Sequence, residues 1–310
     1  MNKKTPIISL ISPLYNEQEV IDDFLKSISK VLKETELSYE LLLVDDGSED
    51  STLEILLQFK EKYQELRIIR LSRNFGKEAA LTAGLDHALG DVVIPIDCDL
   101  QDPPELIHEM IKKWREGYDV VLAKRADRSN DQVVKRVTAE LFYKVHNKIA
   151  ATEVPENVGD YRLMTRKVVD ALKQLPENQR FMKGLFAWAG FKTATIEYTR
   201  EKRVAGRSSF NSWKLWNLAL EGITSFSTVP LRIWMYLGLF FSIFSFIYGS
   251  FIIFRTLILG VDVPGYASLL TSVLFIGGIQ LLGIGVIGEY LGRMYQEVKK
   301  RPIYLVDKEY

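Results

Sequence analysis

Two apolar runs toward the carboxyl end decide what kind of molecule this chain can be. Ile233–Leu259 carries a single charge, Arg255, and Ala267–Tyr290 carries none before Glu289. Each exceeds the roughly 20 residues that a helix needs to cross the hydrocarbon core of a bilayer. A buried core hairpin is the competing explanation, and two adjacent runs this long weigh against it. Basic residues flank the pair on its outer sides: Arg203, Arg207, Lys214 and Arg232 before it, Arg293, Lys299, Lys300 and Arg301 after it. The loop around Asp262-Val263-Pro264-Gly265 has no base apart from Arg255 near the end of the first run. The positive-inside rule then puts both termini, and everything before residue 211, in the cytoplasm. Ser212–Phe226 has Trp213, Trp216, Leu220 and Ile223 along one side. It reads as an amphipathic helix lying in the membrane interface, or else as a plain helix packed on the globular part. Gly277, Gly278, Gly283, Gly285 and Gly288 offer a close-packing face, which allows a homo-oligomer without requiring one.

Residues 1–210 have a different composition. Over the whole chain 40 Lys and Arg balance 40 Asp and Glu, so net charge gives no nucleic-acid signal. The single cysteine, Cys98, excludes an internal disulfide and fits a reducing compartment. The start, MNKKTPIISLISPLYNE, reads as a first core strand and not as a signal peptide. Strands are expected at Ile7–Ser12, Tyr39–Val44, Arg67–Leu71, Val92–Ile96, Asp119–Ala123 and Thr193–Thr199, with amphipathic helices between them. Asp50 or Ser51 is placed to cap the helix from Thr52. Strand–helix alternation of this kind argues for a parallel α/β sheet with helices on both faces.

In such a sheet ligands sit beyond the carboxyl ends of the strands. Four polar signatures fall there: Pro13-Leu14-Tyr15-Asn16-Glu17, Asp45-Asp46-Gly47-Ser48, Ser72–Lys77, and Asp97-Cys98-Asp99-Leu100-Gln101-Asp102. Asp97, Asp99 and Asp102 arrive within six positions, and carboxylates so crowded repel one another. An acidic turn before a helix started by Pro103 and Pro104 would explain them, as would a divalent cation with a bound diphosphate. Hard oxygen donors with no histidine among them favour Mg²⁺ or Mn²⁺ over zinc. Cys98 is flanked by carboxylates that raise a thiol pKa, so it reads as a small filler and not a nucleophile. No dinucleotide-binding or P-loop glycine pattern follows any of these strands.

P-x-Y-N-E, V-D-D-G-S, R-N-F-G-K and D-x-D-L-Q-D-P-P-E, in this order, resemble the inverting family 2 glycosyltransferases of GT-A fold. With G-D-Y-R-L-M, Q-R-F-M-K-G-L and the two spans, the resemblance narrows to bacterial polyprenyl-phosphate glycosyltransferases of the bactoprenol glucosyltransferase type, relatives of dolichol-phosphate mannose synthase. It covers essentially the whole chain and is not specific to the sugar. It implies a GT-A, Rossmann-like domain over residues 1–210, an interfacial helix over 211–230, a two-helix transmembrane hairpin over 231–292 and a cytoplasmic tail over 293–310. It implies a UDP-hexose donor, glucose foremost, a polyprenyl phosphate acceptor, Mg²⁺ or Mn²⁺, and residence in a bacterial inner membrane.

By the same resemblance Pro13, Tyr15, Asn16 and Glu17 line the base and ribose pocket, and Asp45 or Asp46 contacts uracil with Lys77 nearby. Asp97 and Asp99 hold the metal and diphosphate, and Gln101 approaches the sugar phosphate. Asp160 matches the proposed catalytic carboxylate. Arg125, Arg136, Arg203 and Arg207 face the lipid phosphate or the leaving diphosphate. Cys98 stands where alanine is more usual. Q-R-F-M-K-G in place of a full Q-x-x-R-W weakens the case for a processive polysaccharide synthase, the alternative enzyme; a nucleotide-sugar-binding scaffold is the non-enzymatic one. A phosphate monoester with second pKa about 6 is already largely ionised at neutral pH. Asp160 therefore reads as a base, as an organiser of Arg162 or of the sugar, or as a helix cap before Arg166.

Overall fold

The computed structural model describes residues 6–126, 155, 157–175, 177, 180, 182–199, 229–259 and 265–310. Arg136, Arg203, Arg207 and the expected interfacial helix lie outside the described residues.

The chain opens on β1 (Ile8–Leu14), whose residues are buried almost without interruption. A strand covered on both faces has no solvent side, which is why apolar residues recur on both faces, with only the small Ser9 and Ser12 among them. Ile21, Phe24, Leu25, Ile28, Val31 and Leu32 then form the buried stripe of α1 (Ile21–Glu34). Next come β2 (Tyr39–Asp45), α2 (Thr52–Lys60), β3 (Leu66–Leu71), α3 (Lys77–His87) and β4 (Val92–Pro95). At the start of α2 it is Asp50 whose carboxylate accepts the Thr52 N–H, at 3.0 Å. β2 and β4 both pair with β1 in parallel, and β3 pairs in parallel with β2. The carboxyl ends of these four strands therefore share one edge. Connections leave β1 toward opposite sides of the sheet, and the crevice between the ends of β1 and β4 is where such folds bind ligands.

Beyond β4 the sheet departs from the expected all-parallel arrangement. After α4 (Leu106–Arg115) and β5 (Val120–Arg125), residues 158–165 form β6 (Val158–Thr165), which lies between β4 and β5 and antiparallel to both. Register then does chemical work. Val93 pairs with Met164, and continuing that antiparallel register four residues brings Asp160 opposite Asp97. α5 (Arg166–Lys173) and α6 (Met182–Trp188) follow, and β7 (Thr193–Tyr198) pairs in parallel with β5.

Two long helices, α7 (Val229–Leu259) and α8 (Tyr266–Lys299), come next. Their apolar side chains face outward, with Phe246 77% and Leu257 81% exposed. Segments within them, Ile233–Phe251 and Phe275–Lys299, are long and apolar enough to span a membrane, and an apolar surface this extensive needs a bilayer around it. Of the glycines on α8 named above, Gly283 lies against the Trp234 ring of α7, where an added Cβ would come within 3.2 Å. The other four meet nothing within 4 Å.

The chain then returns to the sheet. β8 (Val306–Glu309) pairs antiparallel with β3, Tyr304 donates to Asp86 at 2.9 Å, and Arg67 lies 3.8 Å from Glu309. β8 covers what would otherwise be an open edge. The finished order is β7-β5-β6-β4-β1-β2-β3-β8. Because the segment leaving α8 rejoins the catalytic sheet, the hairpin ends on the side of the membrane that holds that domain.

Candidate active site

The first two loops at the carboxyl edge are tied together by side chains. Asn16, in the left-handed region at φ 55°, accepts the Glu49 N–H through Oδ1 at 2.9 Å, and its own N–H donates to Ser48 Oγ at 3.0 Å. The Glu17 N–H donates to Thr52 Oγ1 at 2.9 Å. Asn16 thus shapes the loop, while Tyr15 beside it is 40% exposed and available to stack. The paired aspartates divide their work. Asp46 accepts the Phe75 and Gly76 N–H groups, at 2.7 and 2.8 Å, through its two oxygens. Asp45 accepts the Ser48 N–H at 3.0 Å through Oδ1; its buried Oδ2 has no hydrogen bond and lies 3.9 Å from Arg70. Asp46 is a brace between loops, and the oxygen without a hydrogen bond belongs to Asp45.

Gly47 makes that brace feasible. It sits at φ +67°, and a Cβ there would lie 2.5 Å from the Arg73 carbonyl carbon and 2.8 Å from the Asn74 nitrogen. Both are backbone atoms, so neither can step aside. Gly47→Ala is expected to cost about 2–4 kcal/mol from strain and collision, read as a lower melting temperature and weakened donor binding.

Lys77, at the start of α3, is the centre of the site. Its ammonium lies 2.7 Å and 2.9 Å from the two oxygens of Asp97 and 2.9 Å from Asp160 Oδ2. One cation therefore bridges β4 and β6. Burial works to raise the Asp160 pKa, but Lys77 and then Lys183 outweigh it and hold the carboxyl at about 2. Glu78 behaves oppositely: burial and then the Asp160 charge push it up to about 8. Arg162 is buried over the Phe186 ring, 3.9 Å from its centroid. It donates to the Gly159 carbonyl at 2.7 Å and the Asp160 carbonyl at 3.3 Å. It braces the backbone of β6, and Lys77 takes the Asp160 carboxylate. Burial lowers the Arg162 pKa to about 10.

The third aspartate of the acidic run has a structural partner. Tyr198, at the end of β7, donates to Asp102, and Arg125 Nε donates to the Tyr198 oxygen at 3.4 Å. Tyr161 donates to the Pro103 carbonyl at 3.1 Å. These bonds lock the turn after β4 against β5, β6 and β7. Asp99 is 7% exposed, and its Oδ1 accepts the Gln101 N–H at 3.1 Å. Burial and the nearby charges of Glu17, Asp97 and Asp99 push the Cys98 thiol well above its ordinary range, so it is an inert filler.

Among the described residues no group of three or more His, Cys, Asp or Glu side chains converges as a metal cage. Asp97 and Asp99 nevertheless suit a hard cation that takes its remaining ligands from a diphosphate and water. The half-buried Asp97 carboxylate already attracts positive charge, in the form of Lys77.

A sheet whose carboxyl edge gathers these four loops has a clear counterpart among known sequences. Residues 9–173 match the profile of glycosyl transferase family 2. The chain belongs to that family. Residues 229–294 match a second profile, the GtrB C-terminal hairpin. An uncharacterised glycosyltransferase of Synechocystis sp. is 54% identical over 299 residues, 96% of this chain and 94% of its own. The bactoprenol glucosyl transferase of Shigella phage SfII is 54% identical over 303 residues, 98% of each chain. A prophage bactoprenol glucosyl transferase homolog of Escherichia coli K12 is 54% identical over 301 residues, 97% of this chain and 98% of its own. This is a membrane glycosyltransferase of family 2, with its GT-A domain on the cytoplasmic side of a two-helix hairpin.

Sequence reasoning placed Lys77 near the nucleotide and missed its bridge to Asp160. That pairing depends on the register of β6. Tyr198 and Glu78 were missed as well, since nothing in their local sequence points toward Asp102 or Asp160.

Proposed function

We propose that this enzyme moves one hexose, glucose foremost, from a UDP-sugar to a polyprenyl phosphate at the cytoplasmic membrane surface, with inversion at the anomeric carbon. The observation that carries this reading is the Lys77 bridge, which joins the acidic motif of β4 to Asp160 at the amino-terminal end of β6. That two of the similar proteins are named as bactoprenol glucosyl transferases supports the lipid acceptor. So does the return of the tail to the sheet, which holds the site close to the bilayer.

Tyr15 would stack on the base, and Asp45 is the better placed of the two aspartates to accept a uracil N–H. Asp97 and Asp99 would hold Mg²⁺ or Mn²⁺, which when bound neutralises charge on the diphosphate leaving group. Gln101 would stand near the sugar phosphate. Arg125, fixed by Tyr198, together with Arg136, Arg203 and Arg207, would meet the lipid phosphate. The four glycines of α8 that face outward leave room for a second copy.

Asp160 acts as an organiser in this reading. A carboxyl held at about 2 is a weak base at neutral pH, and the acceptor phosphate needs no base. The rate should rise with pH through about 6, as the acceptor loses its second proton, and then stay level. Asp160→Asn should lower that plateau about 100-fold without moving its midpoint, with polyprenyl phosphate as acceptor and polyprenol inactive. Loss of the acidic limb in Asp160→Asn, or transfer to polyprenol, would make Asp160 the base and refute the organiser role.

A further inference from the structure

Two buried carboxyl oxygens without hydrogen bonds lie against the Lys77 bridge. Glu78 follows Lys77 in the first turn of α3. One of its oxygens accepts the Met182 N–H at the start of α6, and Oε2 is buried with no hydrogen-bond partner. On β6, Asp160 Oδ2 lies on Lys77 while Oδ1 is likewise buried and unbonded. The two carboxyls interact electrostatically, and the charges of Lys77 and Lys183 act on both. Native proteins rarely leave buried polar atoms unbonded unless a ligand or water completes them.

A purely architectural role explains half of this. An acidic residue suits the first turn of a helix, and the Met182 bond ties α6 to α3. Neither accounts for Glu78 Oε2 or Asp160 Oδ1. Asp160 is ionised and can only accept, whereas Glu78, pushed up to about 8, keeps its proton at neutral pH and can donate, so the group that completes both must donate as well as accept and must not be an anion. That excludes the diphosphate and the lipid phosphate, and leaves the neutral, hydroxyl-rich part of the substrate. A hexose carries hydroxyls on successive carbons, each both a donor and an acceptor.

We propose that Glu78 Oε2 and Asp160 Oδ1 hydrogen-bond neighbouring hydroxyls of the donor hexose, Glu78 donating and Asp160 accepting, which makes Glu78 a specificity-determining residue for the transfer. This rests on the UDP-hexose reading above. A site built to bond a hydroxyl rejects the analogue that lacks it, because its own polar group is then stranded.

The test uses the full chain in detergent with polyprenyl phosphate. The donors are UDP-glucose, or the UDP-hexose that the wild type uses best, and its 2-, 3-, 4- and 6-deoxy analogues. Glu78→Met keeps the side-chain length and removes the carboxyl with its donor and its acceptors. Glu78→Asp, which withdraws the carboxyl by one methylene, serves the same comparison should the melting curve of the methionine variant collapse. The wild type should lose roughly 10- to 100-fold in kcat/KM on an analogue deoxygenated at the position read. In the variant that one penalty should shrink to less than about threefold, the others persisting, as a double-mutant cycle requires of interacting groups. Deoxy penalties all equal to those of the wild type would show that Glu78 only ties α6 to α3, and would overturn the inference. A wild-type protein that transfers no hexose from any UDP-sugar would overturn the donor reading itself, before any variant is compared.

Discussion

Asp99→Asn is expected to lower hexose transfer about 1000-fold while leaving the fold intact, the scale seen when a preorganised electrostatic group is removed. Asparagine keeps an Oδ1 that can still accept the Gln101 N–H, the bond that shapes the turn after β4. What disappears is the negative charge two residues from Asp97. Chelation of divalent cations should reproduce the loss in the wild type and add little in the variant, because both remove the same stabilisation of the leaving diphosphate. The measurement is kcat/KM with and without chelator, beside a melting curve. A variant retaining more than a tenth of wild-type activity would remove Asp99 from the metal site.

Lys77→Met carries the second large effect. The apolar stem is kept, and the ammonium between Asp97 and Asp160 is lost. Two carboxylates then face each other across β4 and β6 without compensation. Removing one partner of a fully buried ion pair costs about 3–5 kcal/mol. Lys77 is 47% exposed, so solvent screening reduces the expected cost to about 1–2 kcal/mol. The pH dependence follows from Asp160. Its pKa is depressed to about 2 in the folded protein, so its pairing stabilises the fold above the ordinary carboxylate value of about 4. That stability is lost as pH falls through about 2. In Lys77→Met this acid-side loss should vanish, because the opposed carboxylates instead favour protonation. Activity should fall about 100-fold, since Asp160 is no longer held toward the site. Adding Asp160→Asn should restore stability without restoring activity, a non-additivity that marks a direct pair.

Much of the first half of the fold could be read from the residues themselves. β1, β2 and β4 are covered on both faces, so their sequences are mainly apolar, broken by Ser9, Ser12 and Glu40, and stop where chemistry begins. The loops at their ends were legible for the same reason, each being a polar cluster after a buried strand. β6 was not. Val-Gly-Asp-Tyr-Arg-Leu-Met-Thr mixes charge and glycine, and it forms a strand because β4 and β5 flank it and Arg162 turns its guanidinium onto the strand's own carbonyls. β8 was hidden differently. Val-Asp-Lys-Glu is exposed at all four positions and is held by backbone pairing to β3, which leaves no pattern in side chains. The division of labour between Asp45 and Asp46 was also invisible, because it depends on where the amides of Phe75 and Gly76 come to lie. Asp102 looked like one of three equivalent carboxylates until Tyr198 was found beside it.

Purified full-length protein, given undecaprenyl phosphate, radiolabelled UDP-hexoses and Mg²⁺ or Mn²⁺, puts the whole reading at risk in one partition assay. A membrane-tethered site organised by Lys77, Asp97 and Asp160 should move label from one UDP-hexose into the organic phase, in a metal-dependent way that Asp99→Asn abolishes. Label gathering instead in a water-soluble polymer, or lipid label that persists in Asp99→Asn, would contradict it.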